Sequence, residues 1–194
     1  MKIGYINLIN SATPNPKQAK IGVEVEAAIA SIFTQRSTFV PLRIPNNREE
    51  LRAAIIRLCD EEKCPLVLTL GGTGPALTDI VPDVTMEIVD RKLPGFGEIM
   101  RYYSYERFKV SVLSRAEAGV RGKSLVINLP GKPKPIKFCL RLLQEGIAEA
   151  LEQIAGITPG LKGDEIEVPI DKYLPFLKKL RPKPAPGDEG QVTL

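Results

Sequence analysis

A run of apolar residues ends in a turn that carries almost no side chains. Residues 65–68 read PLVL, and residues 69–74 read TLGGTG. A near-continuous apolar run is typical of a parallel strand buried on both faces. Glycine reaches positive φ freely, so the turn can fold its N–H groups around an anion. A tight strand-to-helix connection without a ligand fits the same residues. The stretch therefore predicts a buried strand that leads either into a phosphate site or into a plain connection.

Extended and helical patterns alternate along most of the chain. Apolar, β-prone runs predict strands at residues 2–9, 38–44, 66–70, 110–113 and 125–129. Helical spacing of apolar residues predicts helices at residues 17–34, 47–58, 82–91, 94–107 and 136–154. This order predicts an α/β fold, with a doubly wound, mostly parallel sheet flanked by helices.

Three loops follow predicted strands, at residues 10–16, 71–79 and 130–133. In doubly wound folds, ligands bind in the crevice beyond the carboxyl ends of the strands. We therefore expect these loops to meet at one edge of the sheet.

The composition changes after residue 156, where proline becomes frequent and apolar periodicity fades. We expect one domain over residues 1–156 and a Pro-rich C-terminal extension over residues 157–194. The extension is expected to pack partly through Tyr173, Leu174, Phe176 and Leu177 and then to become flexible.

Composition excludes several classes of function. The chain has no histidine, which excludes imidazole catalysis and any histidine-containing zinc site. Its net charge of +4 is small for a nucleic-acid-binding protein, so we expect no nucleic-acid partner. No apolar run approaches the ~20 residues of a membrane span, and the first residues lack signal-peptide features, so we expect neither a membrane partner nor a signal peptide. Three cysteines at irregular spacing match no disulfide framework, and reduced thiols suit the cytoplasm.

Asp79 follows the glycine-rich turn and is a candidate metal ligand. Mg²⁺ is usually held by one or two carboxylates together with substrate phosphate oxygens. Asp79 could instead cap the helix that begins near Pro82. The sequence leaves both roles open.

Residues 94–101 (PGFGEIMR) place two glycines around an aromatic residue. Phe96 is suited to stack on a flat ring, with Glu98 and Arg101 hydrogen-bonding a heterocycle or a phosphate. A plain helix start with a core phenylalanine is the alternative.

Two later segments have groups that bind anions. Ser114 and Arg115 open a loop that either binds phosphate through the arginine or forms a solvated hairpin. Asn128, Pro130 and Gly131 end a strand in a rigid turn that either contributes to a ligand site or is purely structural.

In combination, these segments resemble the molybdopterin adenylyltransferases of the MogA, MoaB, gephyrin and Cnx families. The motifs are TLGGTG–LTD–VPD at residues 69–83, PGFGE–MR at 94–101, LSRAEAG–RGKSLVINLPGKP at 113–133 and FLKKLRPK at 176–183. The resemblance covers about residues 1–155 and is dense from 66 to 133. It implies a MogA-like molybdopterin-binding fold that is usually assembled as a homotrimer.

The resemblance also implies a reaction, in which the terminal phosphate of molybdopterin attacks the α-phosphorus of Mg-ATP and pyrophosphate leaves. The adenylylated product would pass to a molybdate-inserting MoeA-type protein. Asp79 would be catalytic and bind Mg²⁺, and Asn46 occupies the position of a second key carboxylate. Motif matches assign nucleotide or pterin binding to Gly71, Gly72, Thr73, Gly74, Glu98, Arg101, Ser114, Arg115, Asn128, Pro130 and Gly131.

Asn10 and Asn46 stand where the family usually carries acidic residues. An asparagine at position 46 keeps the shape of an aspartate but lacks its charge. Losing one transition-state charge contact can cost ~3 kcal/mol. Two interpretations therefore remain: an adenylyltransferase of full or reduced activity, or a non-catalytic protein that binds molybdopterin or its adenylate. An unrelated nucleotide-binding domain is a third.

Overall fold

A computed structural model describes residues 1–9 and 16–163, all of which belong to one compact unit. Its centre is a six-stranded sheet in the order β2-β1-β3-β6-β5-β4. The strands are β1 (Lys2–Ile9), β2 (Thr38–Pro45), β3 (Leu66–Leu70), β4 (Arg91–Lys92), β5 (Ala118–Arg121) and β6 (Ser124–Leu129).

The four strands β2, β1, β3 and β6 run parallel, whereas β5 pairs antiparallel with β6 and the edge strand β4 pairs antiparallel with β5. The chain reverses its direction of progress across the sheet after β2, so β1 and β3 flank the switch point where α/β folds bind ligands. The predicted α/β class with a mostly parallel sheet is confirmed.

Helices cover both faces of the sheet. They are α1 (Pro16–Ile32), α2 (Arg48–Ile56), α3 (Val81–Ile88), α4 (Pro94–Arg107), α5 (Pro133–Leu142) and α6 (Gln144–Ala155). A π-helical turn, Arg57–Glu61, extends α2, and a 3₁₀ helix, Lys109–Leu113, follows α4.

Two hydrophobic cores result from the alternation of side chains along the buried strands. On β6, Leu125 and Ile127 pack into the core beneath α1, α5 and α6, while Val126 packs into the core beneath α2 and α3. Because successive residues of a strand face opposite sides, a continuous apolar run supplies both cores. This explains why β3 and β6 read as unbroken apolar segments.

Asn47 determines where α2 begins. Its side-chain oxygen accepts hydrogen bonds from the amides of Glu49 (2.9 Å) and Glu50 (3.1 Å), as expected for an N-cap. The preceding Asn46 is therefore left to extend from the carboxyl end of β2 without a capping role.

The predicted strand at residues 110–113 is wrong, because this segment lies in the 3₁₀ helix. Val110 and Val112 are 73% and 64% exposed, so their β-branched side chains find no sheet to pack against. The strand that pairs with β6 is β5, which falls in the stretch interpreted as a loop.

Two predicted helix boundaries also need correction. The helix predicted to reach residue 91 ends at Ile88, and Arg91 and Lys92 pair with β5 as the edge strand. The predicted single helix over 136–154 divides at Leu143, whose φ and ψ of −96° and 1° separate α5 from α6. Apolar periodicity continues through this break, so periodicity alone did not reveal it.

Residues 157–163 follow α6 and pack on the end of α1. Thr34 and Gln35 donate to the carbonyls of Gly160 (3.0 Å) and Pro159 (2.9 Å). The expected contacts through Tyr173, Leu174, Phe176 and Leu177 lie outside the described residues, so the predicted division at residue 156 stays a prediction. In the described ranges, no helix combines the length and apolar character of a bilayer-spanning segment.

Candidate functional site

The parallel strands end together at a small cavity. Asn7 of β1 and Leu70 of β3 are paired in register, as are Leu70 and Leu129 of β6. The cavity has a volume of about 180 Å³ and is lined by Asn7, Leu8, Ile21, Asn46, Leu70, Gly71, Gly72, Asp79 and Gly131. The loops after β3 and β6 therefore meet as expected, and Asn46, which follows β2, joins them. Asn10 and the rest of residues 10–15, which make up most of the third expected loop, lie outside the described residues.

The glycine-rich turn requires its glycines. Gly71 and Gly72 have φ values of +91° and +64°, which side-chain-bearing residues rarely adopt. A Cβ on Gly72 would lie 2.8 Å from Cγ2 of Val81, and one on Gly71 would lie 3.4 Å from the Cα of Gly131. The turn is thus packed against both α3 and the loop after β6.

The amides of this turn have different surroundings. The Gly71 amide donates to the carbonyl of Leu129 (2.9 Å), which ties the turn to β6. The amides of Gly72, Thr73 and Gly74 form no hydrogen bond with any residue in the described ranges. Successive unpaired N–H groups in a turn with positive φ are suited to bind an anion.

Asp79 lies against the glycine-rich turn and lines the cavity. Its Oδ2 accepts a hydrogen bond from the Ala76 amide at 3.1 Å. A Cβ on Gly74 would come within 2.6 Å of the same oxygen. The helix-capping alternative is wrong, because α3 starts with Ile80 as its N-cap residue and no side chain bonds there. The carboxylate therefore remains at the cavity wall.

Asn46 contributes an unsatisfied acceptor to the same cavity. Its Nδ2 donates to the Thr78 carbonyl at 2.8 Å, which fixes the orientation of the amide. Its Oδ1 is buried and has no hydrogen-bond partner among the residues described. A buried oxygen without a donor costs free energy, and a bound cation or ligand donor would remove that cost.

Arg115 is engaged by the protein itself. Its guanidinium forms two parallel bonds with Asp83 (2.8 and 3.0 Å), donates to the carbonyl of Gly74 (2.9 Å) and also donates to the carbonyl of Asp79. Its own amide donates to the Thr73 carbonyl at 2.7 Å. The guanidinium bond to Asp83 lowers the pKa of that carboxyl, so the pair stays ionised at neutral pH.

A larger, mostly apolar cavity adjoins the first one. Its volume is about 320 Å³, within the range of small-molecule pockets. Gly131 lines both cavities. Other residues around the larger one are Thr73, Gly74, Met100, Arg101, Ser104, Phe108, Leu113, Ser114, Ala116, Pro130, Lys132, Pro135 and Cys139. Burial raises the pKa of the Cys139 thiol to about 11, so the thiol is uncharged at neutral pH.

Arg101 and Ser114 reach the larger cavity, whereas Glu98 does not line either cavity. Arg101 donates to the Ala116 carbonyl (2.8 Å) and to the carboxylate of Glu117 (3.1 Å). Glu98 lies exposed on α4, and Phe96 is half-buried and packs against the core. The segment 94–101 thus brings one polar group to the site through Arg101.

Asn128 is fully buried below the site. Its Nδ2 donates to the hydroxyls of Thr69 (3.0 Å) and Thr85 (2.8 Å), and its Oδ1 accepts from the Glu117 amide (3.3 Å). All of its bonds join protein groups of β3, α3 and the segment before β5. Its side chain therefore supports the scaffold in this structure, and its predicted role in ligand binding stays a prediction.

Sequence reasoning overlooked Asn7 and Asp83. Asn7 is 5% exposed and lines the cavity from β1. A polar residue inside an otherwise apolar strand was the available signal. Asp83 pairs with Arg115, 32 residues away, and such a pairing carries no local sequence signal.

Comparison with known proteins gives a consistent family. Residues 29–151 match the family described as "Probable molybdopterin binding domain". Molybdopterin adenylyltransferase of Helicobacter pylori is 37% identical over 154 residues, covering 79% of this chain and 88% of that protein. The Haemophilus influenzae enzyme of the same name is 33% identical over 193 residues, covering 95% and 94%.

Solved structures agree with the sequence relatives. The molybdopterin biosynthesis enzyme MoaB from Thermus thermophilus superposes with a TM-score of 0.71 at 26% identity, covering 81% of this chain and 98% of that one. The sheet, the glycine-rich turn and the paired cavities are thus found in a chain that belongs to the molybdopterin-binding domain family of molybdenum cofactor biosynthesis.

Proposed function

We infer that this chain is a molybdopterin adenylyltransferase, a nucleotidyltransferase of molybdenum cofactor biosynthesis. The observation that supports this most directly is that the amides of residues 72–74, which have no partner among the described residues, lie in the turn that packs against the carboxylate of Asp79. The Haemophilus influenzae relative, which matches 95% of the chain, is named for this activity. The non-catalytic carrier interpretation is not favoured.

Both substrates are anionic at the groups that react. The amides of Gly72, Thr73 and Gly74 are placed to donate to phosphate oxygens of ATP or molybdopterin, because backbone N–H groups bind anions without a side-chain charge. The adjoining apolar cavity is suited to hold a flat ring, with Met100 and Pro130 in its walls. Ser114 and Arg101 supply polar groups at its rim.

The residues present fit a Mg²⁺ ion that accompanies ATP. The Asp79 carboxylate and Oδ1 of Asn46, which has no partner in the part of the chain that the structure describes, line one cavity, and oxygen ligands of this kind suit a hard cation. When bound, the ion would offset negative charge on the phosphates. Asp79 and Asn46 would hold it, and substrate oxygens would complete its coordination.

The reaction needs positioning more than proton transfer. The terminal phosphate of molybdopterin is already an anionic nucleophile, so no side-chain base is required, in agreement with a chain that lacks histidine. The phosphate oxygen forms a bond to the α-phosphorus of ATP, and the bond from that phosphorus to the pyrophosphate oxygen breaks. Fixed amides that donate to the oxygens where charge develops lower the barrier.

The decisive experiment supplies the purified full chain with molybdopterin and Mg-ATP and measures adenylylated product and pyrophosphate. We expect product formation that depends on molybdopterin. Asn46→Asp restores a second carboxylate and is expected to raise the rate by about 10-fold or more. Absence of both products, under conditions in which the Helicobacter pylori relative is active, would refute the proposed function.

The homotrimer is part of this proposal. Large apolar side chains are exposed along α4 and the 3₁₀ helix that follows it: Tyr102 (51%), Tyr105 (46%), Val112 (64%) and Leu113 (54%). Exposed apolar patches of this kind mark protein contacts. Since Leu113 also lines the larger cavity, a neighbouring subunit on this face would lie next to the site. Light scattering should give a trimer, and Val112→Asp should shift it toward monomer.

The location and the next step of the pathway are also proposed. Three buried, unpaired thiols are compatible with the reducing cytoplasm. There, the adenylylated product would pass to a molybdate-inserting MoeA-type protein.

A further inference from the structure

We propose that Arg115 is a positioning residue that, held by Asp83, fixes the loop between the glycine-rich turn and α3. This inference rests on the proposed function, because the loop carries Asp79 and follows the anion-binding amides. It assigns the guanidinium to the protein backbone instead of to a substrate phosphate.

The contacts define a clamp on both ends of the loop. The Nε of Arg115 donates to the Gly74 carbonyl at 2.9 Å, and one Nη donates to the Asp79 carbonyl. The Arg115 amide donates to the Thr73 carbonyl at 2.7 Å. One residue therefore holds the backbone where the loop begins and where it ends, so the residues between cannot move independently.

Asp83 holds the guanidinium in the plane that makes those contacts possible. Its two oxygens accept from Nη1 and Nη2 at 2.8 and 3.0 Å. An arginine has five N–H groups in a rigid fork, and these bonds engage most of them. Little donor capacity is left for a phosphate unless the clamp opens.

The clamp fixes position more than it contributes to overall stability. The Arg115 and Asp83 side chains are 40% and 46% exposed, and ion pairs with this exposure contribute little to the free energy of unfolding. A displacement of about 1 Å at a reacting group, in contrast, can lower a rate by about 10²-fold. Activity should therefore respond much more strongly than the melting temperature.

A double-mutant cycle on the full chain tests the clamp. We expect Asp83→Asn to lower kcat/KM for adenylylation by about 10-fold and Arg115→Met by about 100-fold. The double variant should match Arg115→Met, because both changes release the same loop. Asp60→Asn is the matched control: Asp60 holds Arg121 at the other end of the sheet (2.5 and 3.2 Å), and its loss should change kcat/KM by less than about 2-fold.

Opposite results would overturn the proposal. If Arg115 bound phosphate directly, Asp83→Asn would free the guanidinium, and ATP would bind as tightly as to the wild type or more tightly. Additive losses in the double variant would also contradict the clamp. Should Arg115→Met fail to fold, the Asp83→Asn and Asp60→Asn results decide the question, since each removes only an exposed or half-exposed carboxylate.

Hydrogen exchange separates this inference from the proposed function. In the free protein, the peptide covering residues 71–80 should exchange faster in Asp83→Asn than in the wild type, because the Ala76 and Asp79 amides lose a fixed geometry. Asp60→Asn should leave that peptide unchanged. A wild-type chain that transfers no adenylyl group would refute the function, whereas unchanged exchange in Asp83→Asn would refute the clamp.

Discussion

Two arginine–aspartate pairs lie at opposite ends of the parallel strands. Arg115 pairs with Asp83 at the carboxyl end and also holds the carbonyls of Gly74 and Asp79. Arg121 pairs with Asp60 at the amino end and also holds the carbonyl of Ile88 at 2.8 Å. The contacts are of the same kind, so the difference lies in what they hold: a loop with unpaired amides in one case and the end of a packed helix in the other.

Neighbouring polar groups show the same contrast. At the amino end, the Gly122 amide is satisfied by Asp90 Oδ2 at 2.7 Å. At the carboxyl end, the amides of residues 72–74 and Oδ1 of Asn46 have no partner in the described part of the chain. Native proteins satisfy nearly all buried polar groups, so the buried Oδ1 of Asn46, which lines a cavity, marks a place where a ligand is expected. Oγ of Ser37, the other unpartnered buried side-chain oxygen among the described residues, precedes β2 and lines neither of the two cavities.

The largest expected effect comes from removing the carboxylate of Asp79, which lies at the carboxyl end of the parallel strands. Asp79→Ala should lower adenylylation by about 10²- to 10³-fold, because the site loses its charged oxygen ligand. Asp90→Ala removes a carboxylate from the amino end of the strands and should leave the rate within about 2-fold of wild type. Steady-state kinetics with molybdopterin and Mg-ATP provide the measurement. Equal losses in the two variants would remove the distinction between the ends.

A pair of glycine substitutions sharpens the comparison. A Cβ at Gly74 would lie 2.6 Å from Oδ2 of Asp79, whereas nothing lies within 4 Å of a Cβ at Gly122. Gly74→Ala should lower kcat by about 10²-fold by displacing the carboxylate. Gly122→Ala, at a φ of +54°, should cost about 1 kcal/mol of stability and leave kcat unchanged. Normal activity of Gly74→Ala would show that the Asp79 position is not critical.

The buried polar groups around Asn128 should matter for stability. Asn128→Ala removes the partner of the Thr69 and Thr85 hydroxyls and of the Glu117 amide, and should lower the free energy of unfolding by about 2–3 kcal/mol. Gln153→Ala, which breaks an exposed bond to Glu149, should change it by less than about 0.5 kcal/mol. Urea denaturation measures both. A small effect of Asn128→Ala would mean that water replaces its bonds.

The smallest effect concerns the stability contributed by the Arg115–Asp83 pair. Asp83→Asn should lower the free energy of unfolding by less than about 1 kcal/mol at pH 7. Because the folded state lowers the Asp83 pKa from 3.8, this contribution is fully present above that pH and is lost as the pH falls through the folded-state pKa. Wild type and variant should therefore differ at pH 7 and converge in acid. A difference that persists at pH 2 would contradict the ion pair as its source.

Much of the scaffold could be predicted from the sequence. The unbroken apolar runs of β3 and β6 reflect burial on both faces, and their positions follow directly from that pattern. Convergence of the loops after β3 and β6 follows from parallel strand order alone. Asn47 was predictable as the N-cap of α2 because capping depends on residues two and three positions away.

The finer structure of the site depends on contacts between distant residues. Val110–Leu113 have β-prone residues, but the segment forms a 3₁₀ helix whose valines are exposed, so local preference predicted the wrong element. The partners of Arg115 come from two other segments of the chain. Without them, an arginine at this position is equally compatible with binding a phosphate. The sequence places Asn128 at a strand end but does not reveal that Thr69 and Thr85 pack around its side chain.

The backbones of Gly71 and Gly131 come close together where the loops after β3 and β6 meet. A Cβ on Gly131 would stand 3.2 Å from the Cα of Gly71, so no side chain separates the loop after β3 from the loop after β6. The loop after β3 continues toward Asp79 and the loop after β6 toward Lys132, and only main-chain atoms lie at the contact between them. A ligand too large for this opening would have to move the backbones of both loops. The size of ligand that fits is therefore set by the spacing of the neighbouring strands, and substitutions of side chains at this contact cannot change it.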